Sequence, residues 1–325
     1  MKAWLKKSFV LSAALVFILS GCSGKAGNSN SDASSDKSGS GSGKKLKVVT
    51  TFYPMYEFSK QVGGDHADVI ALIPPGAEPH DWEPSAKDMA KLKEADLFVY
   101  NGIVEGWAEK ALSSAANEKR VVVEASKGIE LMEGLPEEEE EGHDHEGEEG
   151  HILDPHVWLD PVLAQKEVSS IQAAFEKADP ANKEDYKKNA DAYIANLKDL
   201  DAAFKSGLNS VKKKDFVTQH AAFGYLAKQY GLTQIPIAGL SPEQEPSPNK
   251  MAEIIAFAKE HQVKTIFFET LVDPKVAKTV AKELGAKTDV LNPIEGLTEE
   301  DKKNKLDYIG IMHNNLEALK KALNE

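Results

Sequence analysis

From Lys45 onward the apolar residues fall into two alternating rhythms. Leu46 to Phe52, Val69 to Ile73, Leu97 to Tyr100 and Val121 to Val123 are short apolar runs of strand type. Between them Met55 to Val62, Ser85 to Glu94 and Trp107 to Ala116 carry apolar positions at helical spacing. This alternation predicts an α/β lobe around a largely parallel sheet.

Asp160-Pro161 then opens a helix, with Asp as N-cap and Pro in the first turn. Asp179-Pro180 repeats that signal. Tyr186, Ala190, Tyr193, Leu197, Leu200, Phe204, Leu208 and Val211 follow at intervals of three or four. They make one apolar stripe on a rod of roughly 30 residues, about 45 Å long at 1.5 Å per residue. Past it the alternation resumes, with strands at Phe216 to Thr218, Gln234 to Ala238, Thr265 to Phe268 and Asp289 to Leu291. Helices fall at Ala222 to Tyr230, Met251 to His261 and Lys275 to Leu284, and Tyr308 to Leu323 closes the chain. The expected architecture is two α/β lobes, residues 45–178 and 212–325, with largely parallel four-stranded sheets. One long spine helix, residues 179–211, joins them.

The residues ahead of the first lobe read differently. Lys2, Lys6 and Lys7 precede a mostly apolar stretch from Phe9 to Leu19, too short for the roughly 20 residues a bilayer crossing needs. It ends in Leu19-Ser20-Gly21-Cys22, which resembles the bacterial lipobox. That resemblance implies a signal peptide at 1–21 and a diacylated Cys22. Cys22 is the single cysteine, so stability must come from packing and ligand rather than from an internal disulfide. Residues 22–44, rich in Ser, Gly, Lys, Asn and Asp, have little apolar surface to offset ordering entropy and read as a flexible tether. A net charge of −13 argues against nucleic acid as a partner.

Four metal-ligand types sit beyond strand ends or in loops. His80 ends Pro74-Pro75-Gly76-Ala77-Glu78-Pro79-His80, and His156 lies in Asp154-Pro155-His156-Val157-Trp158. His220 follows Phe216-Val217-Thr218-Gln219, and Glu295 follows Leu291-Asn292-Pro293-Ile294. Ligands of open α/β sheets bind beyond the carboxyl ends of strands. Prolines beside three of the four stiffen the backbone and reduce the ordering cost of binding. Three imidazoles and one carboxylate suit a tetrahedral, borderline-soft ion such as zinc better than manganese, which prefers more oxygen donors.

Gly76-x-x-Pro79-His80, Asp154-Pro155-His156-x-Trp158-Leu159-Asp160-Pro161, Thr218-Gln219-His220-x-Ala222-Phe223 and Leu291-Asn292-Pro293-Ile294-Glu295 together resemble the cluster A-I metal-binding proteins. These are the solute-binding lipoproteins of zinc, manganese and iron ABC importers. The likeness runs from Lys45 to the end of the chain. It implies one Zn²⁺ held by His80, His156, His220 and Glu295, an ABC permease with its ATPase as partners, and a monomer anchored on the outer face of the membrane. A Gram-positive cell surface fits the lipobox and the lack of a disulfide. Manganese or iron members and metal-dependent surface adhesins are the alternatives within the family.

Glu269, in Phe267-Phe268-Glu269-Thr270, is a further carboxylate at a strand end. The resemblance places it near the cleft, as support for an imidazole's free N–H or as a rival to Glu295. Residues 137–151 read EEEEEGHDHEGEEGH, with no cationic side chain and three of the nine histidines. Zinc relatives carry such an insertion here, and His143, His145 and His151 are candidates for a low-affinity collecting loop. His66, His261 and His313 are assigned no metal. There is no His-Glu-x-x-His and no Gly-x-Ser-x-Gly, so a hydrolase is not expected.

Overall fold

In a computed structural model of the chain, the residues described are 44–134, 152–243 and 246–325. Strands β1 (Leu46–Thr50), β2 (Ala67–Ala71), β3 (Leu97–Tyr100) and β4 (Val121–Glu124) form one sheet in the order β2-β1-β3-β4, all neighbours parallel. Strands β5 (Asp215–Thr218), β6 (Thr233–Pro236), β7 (Thr265–Phe268) and β8 (Lys287–Val290) form a second parallel sheet, ordered β6-β5-β7-β8. The two sheets share one winding, so corresponding strand ends carry corresponding loops. Cys22, His143, His145 and His151 lie outside the described residues.

Parallel strands need crossover helices. In the first lobe these are α1 (Tyr53–Gly63), α2 (Ala86–Glu94) and α3 (Ala108–Ser114). Then come α4 (Pro161–Ala178) and α5 (Lys183–Leu208). The second lobe adds α6 (Gly224–Tyr230), α7 (Pro248–Glu260), α8 (Lys275–Leu284), α9 (Glu299–Lys303) and α10 (Tyr308–Ala322). Local chemistry sets several starts. Ser85 and Asp88 form a capping box on α2, Thr298 and Asp301 another on α9, and Asp160 caps α4 ahead of Pro161. Among the described residues no helix is long and apolar enough to cross a membrane.

Alternating strand residues feed different cores, as the pleat requires. Val48 and Val99 pack on the α1, α4 and α5 side, while Val49 and Phe98 pack with Leu92 of α2 and Ala111 of α3. In the second sheet Phe216 and Phe267 face the α5 and α10 side, whereas Val217 and Ile266 pack with Ile254 of α7 and Val280 of α8. The α5-side core is one continuous cluster reaching from Val48 to Phe267. Helix α5 buries Tyr186, Ala190, Tyr193, Leu197, Leu200, Phe204 and Leu208 along it, the stripe legible in the sequence. At about 1.5–3 kcal/mol for each large apolar side chain buried, this shared core fastens both sheets to one rod.

The rod is shorter than residues 179–211. Pro180–Asn182 form a separate 3₁₀ turn, and α5 runs 26 residues from Lys183 to Leu208. Asp179 is the N-cap of this short turn, but its carboxylate accepts from Asn182 Nδ2 at 2.6 Å and from the Tyr186 hydroxyl at 2.8 Å rather than making a side-chain capping bond. Val211 still reaches the core although it lies beyond the helix. Helix α9 was not foreseen, although Thr298-x-x-Asp301 is its capping signal.

Candidate metal centre

Each sheet delivers its chemistry at its carboxyl edge. His80 lies on the loop after β2, which leaves the sheet through the bonds Leu72 N–H to Thr50 O and Ile73 N–H to Thr51 O. Gly76, at φ +82°, supplies the left-handed turn in that loop. His156 precedes a 3₁₀ turn, Val157–Leu159, that runs straight into α4. His220 follows β5, and its carbonyl accepts from Thr218 Oγ1 at 2.7 Å and Gln234 Nε2 at 2.8 Å. Glu295 follows β8 after Ile294, a β-branched residue at φ +60°.

These four residues meet at one point. His156 Nε2 lies 3.3 Å from His80 Nε2 and 3.3 Å from His220 Nε2. Glu295 Oε1 lies 3.3 Å from His80 Nε2, 3.4 Å from His156 Nε2 and 3.5 Å from His220 Nε2. The sixth separation, His80 to His220, is within 4.8 Å. Tetrahedral zinc with N and O ligands at roughly 2.0–2.2 Å gives ligand-to-ligand edges of about 3.3–3.6 Å. Five of the six edges therefore match an ion of that size. His156, His220 and Glu295 are buried, and the His80 side chain, 11% exposed, is the one open to solvent.

The far sides of the rings are also fixed. Asp154 Oδ1 lies 2.8 Å from His156 Nδ1 and accepts the His156 backbone N–H at 2.9 Å. Glu269 holds Nδ1 of His220 through a hydrogen bond. A proton on Nδ1 leaves the Nε2 lone pair free to face the shared point. Glu269 thus lies behind an imidazole, outside the four-atom group.

Without a cation the cluster keeps its protons tightly. Burial lowers the His220 pKa, but the Glu269 and Glu295 carboxylates outweigh it and push the value up to about 10. Burial also lowers His156, which bonds to Asp154 and Glu295 carry above the usual histidine value. Burial raises Glu295, yet hydrogen bonds from His156, His220 and His80 hold it well below the usual carboxylate range. A buried anionic oxygen facing three ring nitrogens is an electrostatic setting that favours a cation.

Two other histidines, His66 and His261, have carboxylate partners of their own. His66 Nε2 pairs with Asp185 at 2.9 Å. His261 Nδ1 pairs with Asp215 at 2.7 Å, with its ring stacked on Phe257. Neither approaches the four-residue group.

Residues 48–322 match the family model described as zinc-uptake complex component A, periplasmic. The chain belongs to this family. Among its relatives, the high-affinity zinc uptake system protein ZnuA of Bacillus subtilis is 54% identical over 312 residues, spanning 96% of this chain and 95% of that protein. The zinc-binding lipoprotein AdcA of Streptococcus pneumoniae is 50% identical over 284 residues, 86% of this chain but only 56% of AdcA. This chain thus spans little more than half the length of the AdcA relatives. The crystal structure of the Zn(II)-bound ZnuA-like domain of that AdcA superposes with a TM-score of 0.74 at 46% identity, covering 86% of this chain and all of the domain.

Within this ZnuA-family chain, several residues around the site were not singled out from the sequence. Asp154 carried a signal: an Asp two residues before His156 can turn back on that backbone N–H. Glu78 does the same before His80, both its oxygens accepting the His80 N–H at 3.1 and 3.0 Å. Gly224 gave no signal, yet a Cβ there would meet Asp154 Oδ2 at 2.9 Å. Trp158, Asn292 and Asn315 act across long sequence gaps.

Proposed function

We propose that this protein is the zinc-capturing subunit of an ABC importer, with His80, His156, His220 and Glu295 as the ligands of one cargo ion. The near-tetrahedral set of distances around a single point carries the reading. Three neutral nitrogens and one anionic oxygen match the donor preference of zinc, whereas manganese and iron favour sets richer in oxygen. The names of the relatives in B. subtilis and S. pneumoniae agree with this choice.

Hydrated zinc reaches the cluster on the side of His80. It exchanges water for the three Nε2 atoms and Glu295 Oε1, and displaces the proton His220 holds. Four protein ligands leave no open coordination position, and a closed shell holds an ion rather than activating a water. Asp154 and Glu269 keep the rings aimed, so loading needs little rearrangement. Helix α5, packed into a core common to both lobes, opposes wide hinge opening. Delivery to a permease, powered by its ATPase, then rests on movement of the loops at the sheet edges.

Cys22, following the lipobox-like Leu19-Ser20-Gly21, would hold the protein to the outer membrane face as a monomer. The acidic, histidine-bearing residues 137–151 would gather zinc at low affinity through His143, His145 and His151.

Elemental analysis of protein purified without added metal, followed by calorimetric competition between zinc and manganese, tests the assignment. One equivalent of zinc with clear preference over manganese is expected. A protein that takes up no zinc, or prefers manganese, would overturn it.

A further inference from the structure

Helix α10 turns an apolar face inward with Tyr308, Ile311, Met312, Leu316 and Leu319. Asn315 lies in the middle of that face, 2% exposed. A buried amide among apolar neighbours is costly unless its hydrogen bonds are satisfied. Asn315 satisfies them on a single target. Its Oδ1 accepts from the Asn292 N–H at 2.9 Å, and its Nδ2 donates to the Asn292 carbonyl at 2.7 Å.

Asn292, 5% exposed, passes the constraint along the chain. Its own Oδ1 accepts from the Ile294 N–H at 2.8 Å. Ile294 is fully buried and at φ +60°, a region a β-branched residue enters only when its surroundings impose it. The next residue is Glu295. The buried Ile294 side chain and the two asparagines therefore fix the direction in which the Glu295 carboxylate leaves the backbone.

We infer that Asn315 is a positioning residue for the cation site: the Asn315–Asn292–Ile294 relay aims Glu295 Oε1 at the three imidazoles. The hydrogen bonds of Asn315 go to Asn292, and it acts on the site through the loop. This rests on the zinc reading above and adds the element that sets the carboxylate.

Asn315→Ala, Glu295→Gln, His80→Ala and the two double variants containing Asn315→Ala would be titrated with zinc against a chromophoric chelator. Asn315→Ala should weaken binding roughly 10–100-fold, the range for partners that orient ligands. In the Glu295→Gln background it should cost little more, because the carboxylate it aims is gone. In the His80→Ala background it should cost its full factor. A merely structural role would lower affinity alike in both backgrounds. Cobalt(II) substitution gives an independent signature, since the intense visible bands of the tetrahedral wild-type site should weaken in Asn315→Ala as they do in Glu295→Gln. Should Asn315→Ala not fold, Ile294→Gly frees the same backbone from the loop side and should give the same pattern. Full multiplicativity with Glu295→Gln, or wild-type affinity in Asn315→Ala, overturns the inference. Wild-type protein that binds no zinc would instead overturn the reading beneath it.

Discussion

Trp158 donates its indole N–H to the carbonyl of Pro293 at 2.8 Å, joining the segment that carries His156 to the segment that carries Glu295. The Tyr308 hydroxyl of α10 donates to the Trp158 carbonyl at 2.5 Å, so the residue is held through its backbone as well as its side chain. Trp158 is fully buried and packs edge-on against Phe52. It does two jobs, filling the core and setting the spacing of two ligands across the lobes.

Trp158→Phe keeps an aromatic ring there but leaves the Pro293 carbonyl buried without its donor. A stranded buried group costs about 1–3 kcal/mol. Urea unfolding of the metal-free variant should show a loss of that order, and its zinc affinity should fall as well. A variant with unchanged stability and unchanged affinity would remove the indole bond from the account of the site.

Gly224→Ala attacks His156 from behind. The new Cβ would stand 2.9 Å from Asp154 Oδ2, closer than a methyl group and an oxygen tolerate. Asp154 has to shift, and its bonds to the His156 ring and backbone N–H shift with it. Zinc affinity should fall about tenfold or more, as for other losses behind a metal-bound histidine. Combined with Asp154→Ala the effect should be far less than multiplicative. Independent effects would mean that Gly224 serves the start of α6 alone.

Much of this was written in the local chain. The strand and helix rhythms reflect alternating burial, and the α5 stripe needs nothing beyond its own spacing. His80, His156, His220 and Glu295 were legible as ligand residue types at sheet edges, three of them beside prolines. What sequence could not supply was anything set by tertiary pairing. Trp158 and Pro293 are 135 residues apart, and Asn292 and Asn315 are 23 apart on different elements. The left-handed Ile294 contradicts local preference altogether, because packing there overrides the intrinsic cost.

Glu167 of α4 gives a pH dependence separate from metal. It is fully buried, Asn101 bonds its Oε1 at 3.4 Å, and among the described residues Oε2 has no hydrogen-bond partner. Burial pushes its pKa up to about 8, with the nearby Glu105 carboxylate adding to the rise. Between its unfolded value, about 4.3, and about 8, the native state holds a proton the unfolded chain releases. Stability from this group is therefore full below the lower value and is lost as pH rises through the upper one. Glu167→Gln cannot ionise. Its unfolding free energy should gain on wild type from pH 5 to about pH 8, by on the order of a few kcal/mol in all, and level off above that. Parallel curves would show that Glu167 is solvated in the native protein.

Zinc binding should show the opposite slope. His220 is held at about 10 by Glu269 and Glu295 against the opposing effect of burial, so the metal-free site carries its proton at neutral pH. Zinc needs the unprotonated ring, and binding must release that proton. Apparent affinity should then climb as pH rises from 6 to 9, and calorimetry in buffers of different ionisation enthalpy should count at least one proton released per zinc at pH 7. The stability of the metal-free fold moves the other way. Its His220 contribution is complete below the unfolded value of about 6.5 and disappears as pH rises through about 10. The thermal shift produced by zinc should therefore widen as pH increases. Glu269→Gln removes one of the carboxylates that raises His220. It should release fewer protons on binding and flatten the pH dependence, even though it loses affinity through a less well-held ring. A zinc affinity flat across this range in wild-type protein would mean that His220 does not bind the ion as a deprotonated imidazole.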